Sequence, residues 1–113
     1  MKSDAMDASR FESLADATLS RLQAEIEEQS EGDIDAELAA GILTLELESG
    51  AKYLINKHGP NRQIWLASPV SGAWHFAWSE DDQAWISTRG DERLDRLLSG
   101  ELSQASGHSL NLG

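Results

Sequence analysis

Hydrophobic positions near the beginning of the chain recur every three or four residues, which is the period of an α-helix. The pattern runs from Asp7 to about Gln29. Its inward stripe consists of Phe11, Leu14, Ala15, Thr18, Leu22 and Ile26. Asp7 or Ser9 can cap the start of this helix, and Gly32 follows its end as a stop signal. We therefore predict an amphipathic helix of about six turns that buries one face.

From residue 33 the hydrophobic period changes to two, which is the spacing of a half-buried β-strand. Acidic and apolar residues alternate over 33–38. Five further strand-like segments follow at 42–48, 51–57, 62–68, 73–79 and 84–88. The segments are separated by short turns rich in Gly, Pro, Asn, Asp and Ser. Short turns between consecutive strands indicate an antiparallel meander of about six strands.

The helical period returns from Asp91 and predicts a second helix. Its apolar side carries Leu94, Leu97, Leu98, Leu102 and Ala105. Each helix has only one apolar stripe to bury, so both must cover the same face of the sheet. The sequence therefore predicts an α+β two-layer sandwich. We expect a flexible N-terminus at 1–8, one domain at 9–106 and a C-terminal tail at 107–113.

Composition narrows the possible chemistry. The chain has 113 residues, four tryptophans and no cysteine. It therefore has no thiolate of its own for a disulfide, for nucleophilic catalysis or for holding an iron–sulfur cluster. No apolar run reaches the roughly 18–20 residues that span a bilayer. The N-terminal residues lack the apolar core of a secretory signal, so we expect a cytoplasmic protein.

The net charge of −11 is distributed unevenly along the chain. Residues 1–48 contain thirteen acidic and three basic side chains, whereas the remainder is close to neutral. A strongly acidic surface repels nucleic acid and anionic membranes. It attracts cations and basic protein surfaces. We therefore expect neither nucleic acid nor membrane among the partners.

The stretch EIEEQSEGDIDAE, residues 25–37, contains seven acidic residues and no basic one. Helical spacing places Glu27, Glu28 and Glu31 on one side of the first helix, and alternation places Asp33, Asp35 and Glu37 on one strand face. We name this set of carboxylates the acidic ridge. Like charges packed in this way destabilise the fold unless a cation neutralises them. A solvated, solubilising face is the alternative interpretation.

Oxygen ligands alone favour hard cations such as calcium, magnesium, manganese and iron. A calcium loop beginning at Asp33 would need Gly at position 38 and Glu at position 44, where the chain has Leu38 and Thr44. A ridge on a convex surface also offers few ligands to each ion. We therefore expect cation binding that is weak, multiple and poorly selective.

The second unusual position is Trp65. Alternation places Ile64 and Leu66 on one face of a strand and Trp65 on the other, so the indole stands on the open sheet surface if the helices cover Ile64. An exposed tryptophan on a sheet is a candidate anchor for a protein partner, and an indole covered by local side chains is the alternative interpretation. The three histidines, His58, His75 and His108, share no metal-ligand spacing, and we interpret them as surface or loop imidazoles.

The segment INKHGPNRQIWLASP, residues 55–69, resembles the signature of the frataxin family. The preceding acidic stretch and the Ser71-Gly72 pair before an aromatic strand fall in the family's order. The resemblance covers residues 9 to about 105, and the short N-terminus resembles the bacterial, CyaY-like branch. It implies two helices packed on one face of an antiparallel sheet, in agreement with the periodicity. Because the C-terminal tails of some members cover the gap between the helices, the resemblance also implies this role for Leu110 and Leu112.

The resemblance also implies a role in iron–sulfur cluster assembly. Frataxins bind iron, Fe²⁺ or Fe³⁺, weakly on an acidic ridge. They contact a cysteine desulfurase through that ridge and a cluster scaffold protein through the sheet surface. Carried over by position, the metal-binding residues would be Asp16, Glu27, Glu28, Glu31, Asp33, Asp35 and Glu37. The partner-binding residues would be Asn56, Gln63, Trp65 and nearby His75.

Three hypotheses follow from these observations. The first is an iron donor to cluster assembly, a regulator of the desulfurase, or both. The second is an acidic protein-interaction module whose iron binding is incidental. The third is a ferroxidase, which we disfavour because the sequence has no Glu-x-x-His cluster of the kind that di-iron enzymes use. We expect a non-enzymatic monomer, with iron-dependent oligomers as an alternative.

Overall fold

The computed structural model describes residues 6–113. Within these residues, two helices, α1 (Ala8–Gln29) and α2 (Leu94–Ser106), pack on the same face of a single six-stranded sheet. Its strands are β1 (Asp35–Ala39), β2 (Ile42–Glu46), β3 (Lys52–His58), β4 (Gln63–Ser68), β5 (Gly72–Ser79) and β6 (Ala84–Ser87). Each strand pairs antiparallel with the next, in the order β1 to β6. The predicted α+β sandwich is confirmed.

The core lies between the two helices and one face of the sheet. From α1 it takes Phe11, Ala15, Leu19, Leu22 and Ile26, and from α2 it takes Leu94, Leu98 and Leu102. The sheet contributes Leu43, Leu45, Tyr53, Ile55, Ile64, Leu66 and Phe76. Full burial of one such large apolar side chain contributes about 1.5–3 kcal/mol. The opposite face of the sheet has no helix and stays open to solvent.

The start of α1 is set by Asp7 rather than by Ser9. Asp7 is the N-cap, and its side chain accepts a hydrogen bond from the backbone N–H of Arg10 at 2.8 Å. Met6, just before the cap, packs against the core. Most of the N-terminal segment predicted to be flexible, residues 1–5, lies outside the described residues. Neither helix of the described chain is long and apolar enough to cross a membrane.

The first strand begins two residues later than the alternation predicted. Glu31 and Gly32 have φ values of 54° and 83°, so the chain is still turning after α1. The backbone N–H of Asp33 donates to the carbonyl of Ser30 at 3.0 Å, which closes the turn. Asp33 therefore belongs to the turn, while Asp35 and Glu37 lie on β1. The alternation correctly placed the side chains of Asp35 and Glu37 on one face of a strand, but it did not reveal that the chain is still turning at Asp33.

The C-terminal tail fills the groove between α1 and α2. Leu110 and Leu112 are 6% and 0% exposed, as predicted. The backbone N–H of Leu112 donates to Ser99 Oγ on α2 at 2.9 Å, and its carbonyl accepts from Arg21 Nη1 on α1 at 2.9 Å. The backbone N–H of Asn111 donates to Gln29 Oε1 on α1. The tail is thus part of the folded layer.

We predict that truncation after Gly107 lowers thermal stability, because it exposes the groove that Leu110 and Leu112 fill. Loss of two buried leucines corresponds to roughly 3–6 kcal/mol, or a fall in Tm on the order of 10 °C or more. Calorimetry of the truncated chain checks this. Removal of Gly113 alone is the matched control and should leave Tm near that of the intact chain. An unchanged Tm after the longer truncation would contradict the packing role.

A buried polar network joins α2 to the middle of the sheet. Glu101 Oε1 accepts hydrogen bonds from Tyr53 at 3.0 Å and from Ser68 at 2.7 Å. Glu101 Oε2 accepts from Ser71 at 2.6 Å, so one carboxylate also holds the β4–β5 turn. Tyr53 is fully buried. Burial, and then the hydrogen bond and charge of Glu101, raise the pKa of Tyr53 to about 12.

This shift predicts a pH dependence of stability at the alkaline end. The folded chain holds the Tyr53 proton more tightly than the unfolded chain, whose tyrosine has a pKa of 10.0. The corresponding stability is therefore present below pH 10 and is lost as the pH rises towards about 12. Tyr53 is the only tyrosine, so tyrosinate absorbance reports on it directly. The Tyr53→Phe variant should lose this component; ionisation of Tyr53 near pH 10 in the folded chain would contradict the burial effect.

Candidate functional site

The acidic ridge is built on a rigid corner between α1 and β1. Ser30, fully buried, forms the centre of this corner. Its hydroxyl accepts from the backbone N–H of Ile34 at 3.2 Å, and the backbone N–H of Gly32 donates to the carbonyl of Glu27 at 3.1 Å. These bonds fix the backbone that carries Glu31 and Asp33. The ridge is therefore an ordered surface feature and not a loose acidic loop.

Most ridge carboxylates have no partner. All seven predicted metal-binding residues are exposed. Within residues 6–113, five of them make no ion pair and accept no side-chain hydrogen bond: Glu27, Glu28, Glu31, Asp35 and Glu37. Charges left in this state repel one another and attract counter-ions. These five form the available part of the ridge.

Asp16, the seventh predicted metal-binding residue, lies apart from the acidic ridge. Lys57 Nζ on β3 lies 2.8 Å from Asp16 Oδ1 and also pairs with Glu12, one turn earlier on α1. Hydrogen bonds with Asp16 and Glu12 raise the pKa of Lys57. Asp16 precedes Glu27 by eleven helical residues, which corresponds to about 16 Å along the axis. The structure thus places Asp16 in a clamp between α1 and β3, away from the α1–β1 corner.

His108 from the C-terminal tail meets Asp33 on the ridge. His108 Nε2 lies 2.7 Å from Asp33 Oδ2. The hydrogen bond with Asp33 is the largest cause of a raised pKa of His108, and the charges of Asp33, Glu31 and Glu48 add to it. Sequence reasoning treated His108 as a lone imidazole. The two partners are 75 residues apart, so only the docking of the tail reveals the pair.

We predict that Asp33→Asn lowers the pKa of His108 towards its ordinary value. The raised pKa means that the pair contributes most below the ordinary histidine pKa, and that its contribution is lost as the pH rises through the folded value. NMR titration of the His108 ring protons measures the shift. Asp35→Asn removes one charge from the same ridge without touching His108 and is the matched control. Equal His108 titration in wild type and Asp33→Asn would contradict the contact.

Strand pairing extends the ridge by one carboxylate that the sequence-based set omitted. Glu46 on β2 lies directly opposite Asp35 on β1, and Lys52 on β3 lies opposite Glu46. Like charges directly opposite each other in a sheet are destabilising. Alternation indicates that Glu46 points outward, but only the register brings it beside Asp35. The acidic surface therefore continues from the β1 edge onto β2.

The ridge has the donor chemistry of a hard-cation surface without a preformed ion cage. Carboxylate oxygens are the donors that iron, manganese, magnesium and calcium accept. Among the described residues, no three acidic or histidine side chains are grouped closely enough to hold one ion as they stand. Each ion would therefore take one or two carboxylates and keep the rest of its coordination shell as water. This arrangement suits weak, exchangeable binding.

The predicted partner residues lie together on the open face of the sheet. Asn56, Trp65 and His75 are direct cross-strand neighbours on β3, β4 and β5. Gln63 Oε1 accepts a hydrogen bond from Trp65 Nε1 at 2.8 Å. β3, β4 and β5 contain no aspartate or glutamate, although the chain has twenty acidic residues. We name the open side of 54–58 on β3, of β4 and of β5 the neutral face; Lys52, at the start of β3, lies outside it.

Sequence reasoning missed His58 at the neutral face. Its ring stacks on Trp65 with centroids 3.7 Å apart, and His75 stacks on the other side of Trp65 at 4.1 Å. His58 is two strand positions from Asn56, which is the direct partner of Trp65. Such diagonal neighbours are within reach of aromatic side chains. Alternation over 52–58 would have placed His58 on the open face, but the stack itself depends on the β3–β4 register.

Comparison with known proteins identifies the family to which this chain belongs. A family model described as a frataxin-like domain matches residues 4–108. The chain therefore belongs to the frataxin family. The iron–sulfur cluster assembly protein CyaY of Tolumonas auensis is 38% identical over 108 residues, which cover 96% of this chain and 100% of that protein. The resemblance to the bacterial branch is thus confirmed.

Further relatives are similar in sequence or in structure. Mitochondrial frataxin of Arabidopsis thaliana is 37% identical over 114 residues, and the chain spans only 61% of that protein's length. Frataxin from Psychromonas ingrahamii superposes with a TM-score of 0.85 at 30% identity, covering 96% of this chain and 99% of that one. A trimeric Saccharomyces cerevisiae frataxin complexed with ferrous iron superposes with a TM-score of 0.74 at 36% identity, covering 94% and 91%.

Proposed function

We propose that this chain is an iron-binding accessory protein of iron–sulfur cluster assembly. The observation that carries the proposal is a set of five carboxylates, unpaired among residues 6–113, on an ordered corner beside the neutral face, where β3, β4 and β5 carry no acidic residue. The names of the bacterial relatives supply the pathway, and the yeast frataxin complexed with ferrous iron supplies the cation. The chain acts as iron donor, as regulator of a cysteine desulfurase, or as both, without catalysis of its own.

Iron is the cargo of the ridge. Fe²⁺ or Fe³⁺ binds through one or two carboxylates of Glu27, Glu28, Glu31, Asp35 and Glu37 and keeps several waters. Low coordination by protein makes the affinity weak and lets the ion leave quickly. The same low coordination gives little discrimination between iron and other hard cations. Asp33, which contacts His108, and Asp16, which contacts Lys57, bind less readily because each must first give up that contact.

The ridge and the neutral face bind different protein partners. The ridge docks on a basic surface of a cysteine desulfurase, since opposite charges steer and orient the encounter. The neutral face, with Asn56, Gln63, Trp65 and His75, docks on a cluster scaffold protein. Three strand spacings separate β1 from β4, which corresponds to about 14 Å. That distance allows the two surfaces to be disabled separately.

Iron and the desulfurase share the same carboxylates, so binding of one affects binding of the other. An ion on Asp35 or Glu37 reduces the negative charge that attracts the partner. Alternatively, an ion bridges a ridge carboxylate and a partner carboxylate and strengthens the complex. Whether iron weakens or strengthens desulfurase binding, the ridge responds to iron. We propose a cytoplasmic monomer that reads iron in this way, with iron-driven oligomers as the alternative suggested by the trimeric yeast structures.

A second function is favoured by the lack of a grouped metal site among residues 6–113. In that alternative the chain is a protein-interaction module and its iron binding is incidental. A ferroxidase would need a defined His and carboxylate cluster, and the described residues provide none. Oxygen consumption with Fe²⁺ separates the ferroxidase from both other functions. Oxygen consumption that continues over many turnovers supports a ferroxidase. Oxygen consumption that stops at an amount stoichiometric with the protein does not.

We predict that the double charge reversal Asp35→Lys and Glu37→Lys weakens both iron and desulfurase binding by about tenfold or more. Both side chains lie exposed on an edge strand without partners, and lysine is well tolerated there. Asp81→Lys with Asp91→Lys changes net charge equally at exposed sites away from the ridge and is the matched control. Isothermal titration measures both affinities. If both double variants lose affinity equally, net charge alone explains the effect. If the Asp35→Lys and Glu37→Lys variant binds iron and desulfurase as tightly as wild type, the proposed role of the ridge is wrong.

The deciding experiment is a titration of the labelled chain with purified cysteine desulfurase, with and without Fe²⁺, following binding and sulfide production together. Binding that changes sulfide output only with iron supports an iron-responsive regulator. Binding that is independent of iron supports the interaction module. Absence of binding would limit the family relationship to the fold.

A further inference from the structure

Trp65 is enclosed between two imidazoles on the neutral face. The planes of His58 and Trp65 are inclined by 9° with centroids 3.7 Å apart, and those of Trp65 and His75 by 10° with centroids 4.1 Å apart. Both π faces of the indole are therefore covered. Its polar atom is also engaged, because Trp65 Nε1 donates to Gln63 Oε1. The part of this partly buried side chain that remains for a partner is its rim.

The surrounding backbone holds the two imidazoles in place. His75 is the direct cross-strand neighbour of Trp65, so strand pairing itself sets their separation. His58 ends β3, and its Nδ1 accepts a hydrogen bond from the backbone N–H of Asn61 in the following turn. Stacked aromatic pairs contribute stabilisation beyond the area that they bury. Two such pairs restrict the indole to one orientation before any partner arrives.

The apolar surface around the stack is aliphatic. Ile42 and Leu54 are 43% and 45% exposed, and both lie on the open side of the sheet, diagonal to each other. Leu54 is also diagonal to Trp65 across the β3–β4 pair. Across the sheet from Leu54 lie two small side chains, Ala67 on β4 and then Ala73 on β5. The indole rim is thus surrounded by aliphatic and small side chains, and β3, β4 and β5 carry no carboxylate.

We propose that His58 and His75 are positioning residues that fix Trp65 edge-outward, and that the neutral face fits a partner with a narrow, uncharged cleft lined by aliphatic side chains. The inference deepens the proposed function, since it rests on the neutral face being the scaffold-binding surface. A partner that stacks an arginine or an aromatic ring on Trp65 is excluded, because both faces of the indole are already occupied. Pre-orientation lowers the entropic cost of docking and so increases affinity.

Two paired variants test the role of the rings. His58→Ala with His75→Ala removes both stacking partners. His58→Phe with His75→Phe keeps two flat rings, each slightly larger than imidazole, and removes the ring nitrogens. We measure ¹⁵N relaxation of the Trp65 indole N–H in the free protein, with the resonance assigned through Trp65→Phe. We then measure the Kd for a purified iron–sulfur scaffold protein. Thermal unfolding verifies that each variant is folded.

We expect the double alanine variant to have a mobile Trp65 indole and to bind the scaffold protein about tenfold more weakly. The double phenylalanine variant should keep a rigid indole and an affinity close to that of wild type. A rigid indole in the double alanine variant would overturn the positioning role. Unchanged or tighter binding by that variant would overturn the edge-outward mode, because exposed faces would then help a stacking partner.

These outcomes are separable from failure of the proposed function. If wild type does not bind the scaffold protein at all, the partner assignment of the neutral face is wrong. The relaxation measurement in the free protein still decides whether His58 and His75 orient Trp65. If wild type binds and both double variants bind as tightly as wild type, the partner assignment stands and the edge-outward docking mode is wrong.

Discussion

The packing of two amphipathic helices against one face of the sheet is the interaction on which the rest of the molecule depends. α1 and α2 each bury a single apolar stripe, so they share the sheet face that carries Leu45, Ile55 and Phe76. This burial uses one side of every strand and leaves the other side to solvent. The functional surfaces are consequences of that asymmetry. The neutral face is the uncovered side of the central strands, and the acidic ridge lies where the covering helix meets the edge strand.

Charge in this protein is divided between structural pairs and unpaired carboxylates. Glu12 and Asp16 are held by Lys57, and Asp33 is met by His108. Exposed ion pairs of this kind contribute little to stability on their own. Their effect on function is to remove some acids from the available set and leave others free. The remaining carboxylates repel one another at no gain to the fold, which is the physical reason to assign them to a cation or a basic partner.

The two surfaces differ in how far the fold prepares them. On the ridge, the backbone is ordered by Ser30 while five carboxylates stay exposed and make no ion pair within residues 6–113, which is the basis for our proposal of weak ion binding there. On the neutral face, the side chains themselves are ordered, because His58, Trp65 and His75 stack and Gln63 engages the indole. A loose surface suits an exchangeable ion. A rigid one suits a protein partner that must find a single shape.

Sequence alone determined the two-layer architecture, since the change of period from 3.6 to 2 and back assigns helices and strands and shows which face of each is apolar. It also located the acidic stretch at 25–37 and placed Trp65 on the open side, because both follow from composition and alternation. Tertiary structure alone decided which acids are available. Lys57 reaches Asp16 from 41 residues away, and His108 reaches Asp33 from 75. Contacts over such separations depend on strand register and tail docking, which local periodicity does not encode.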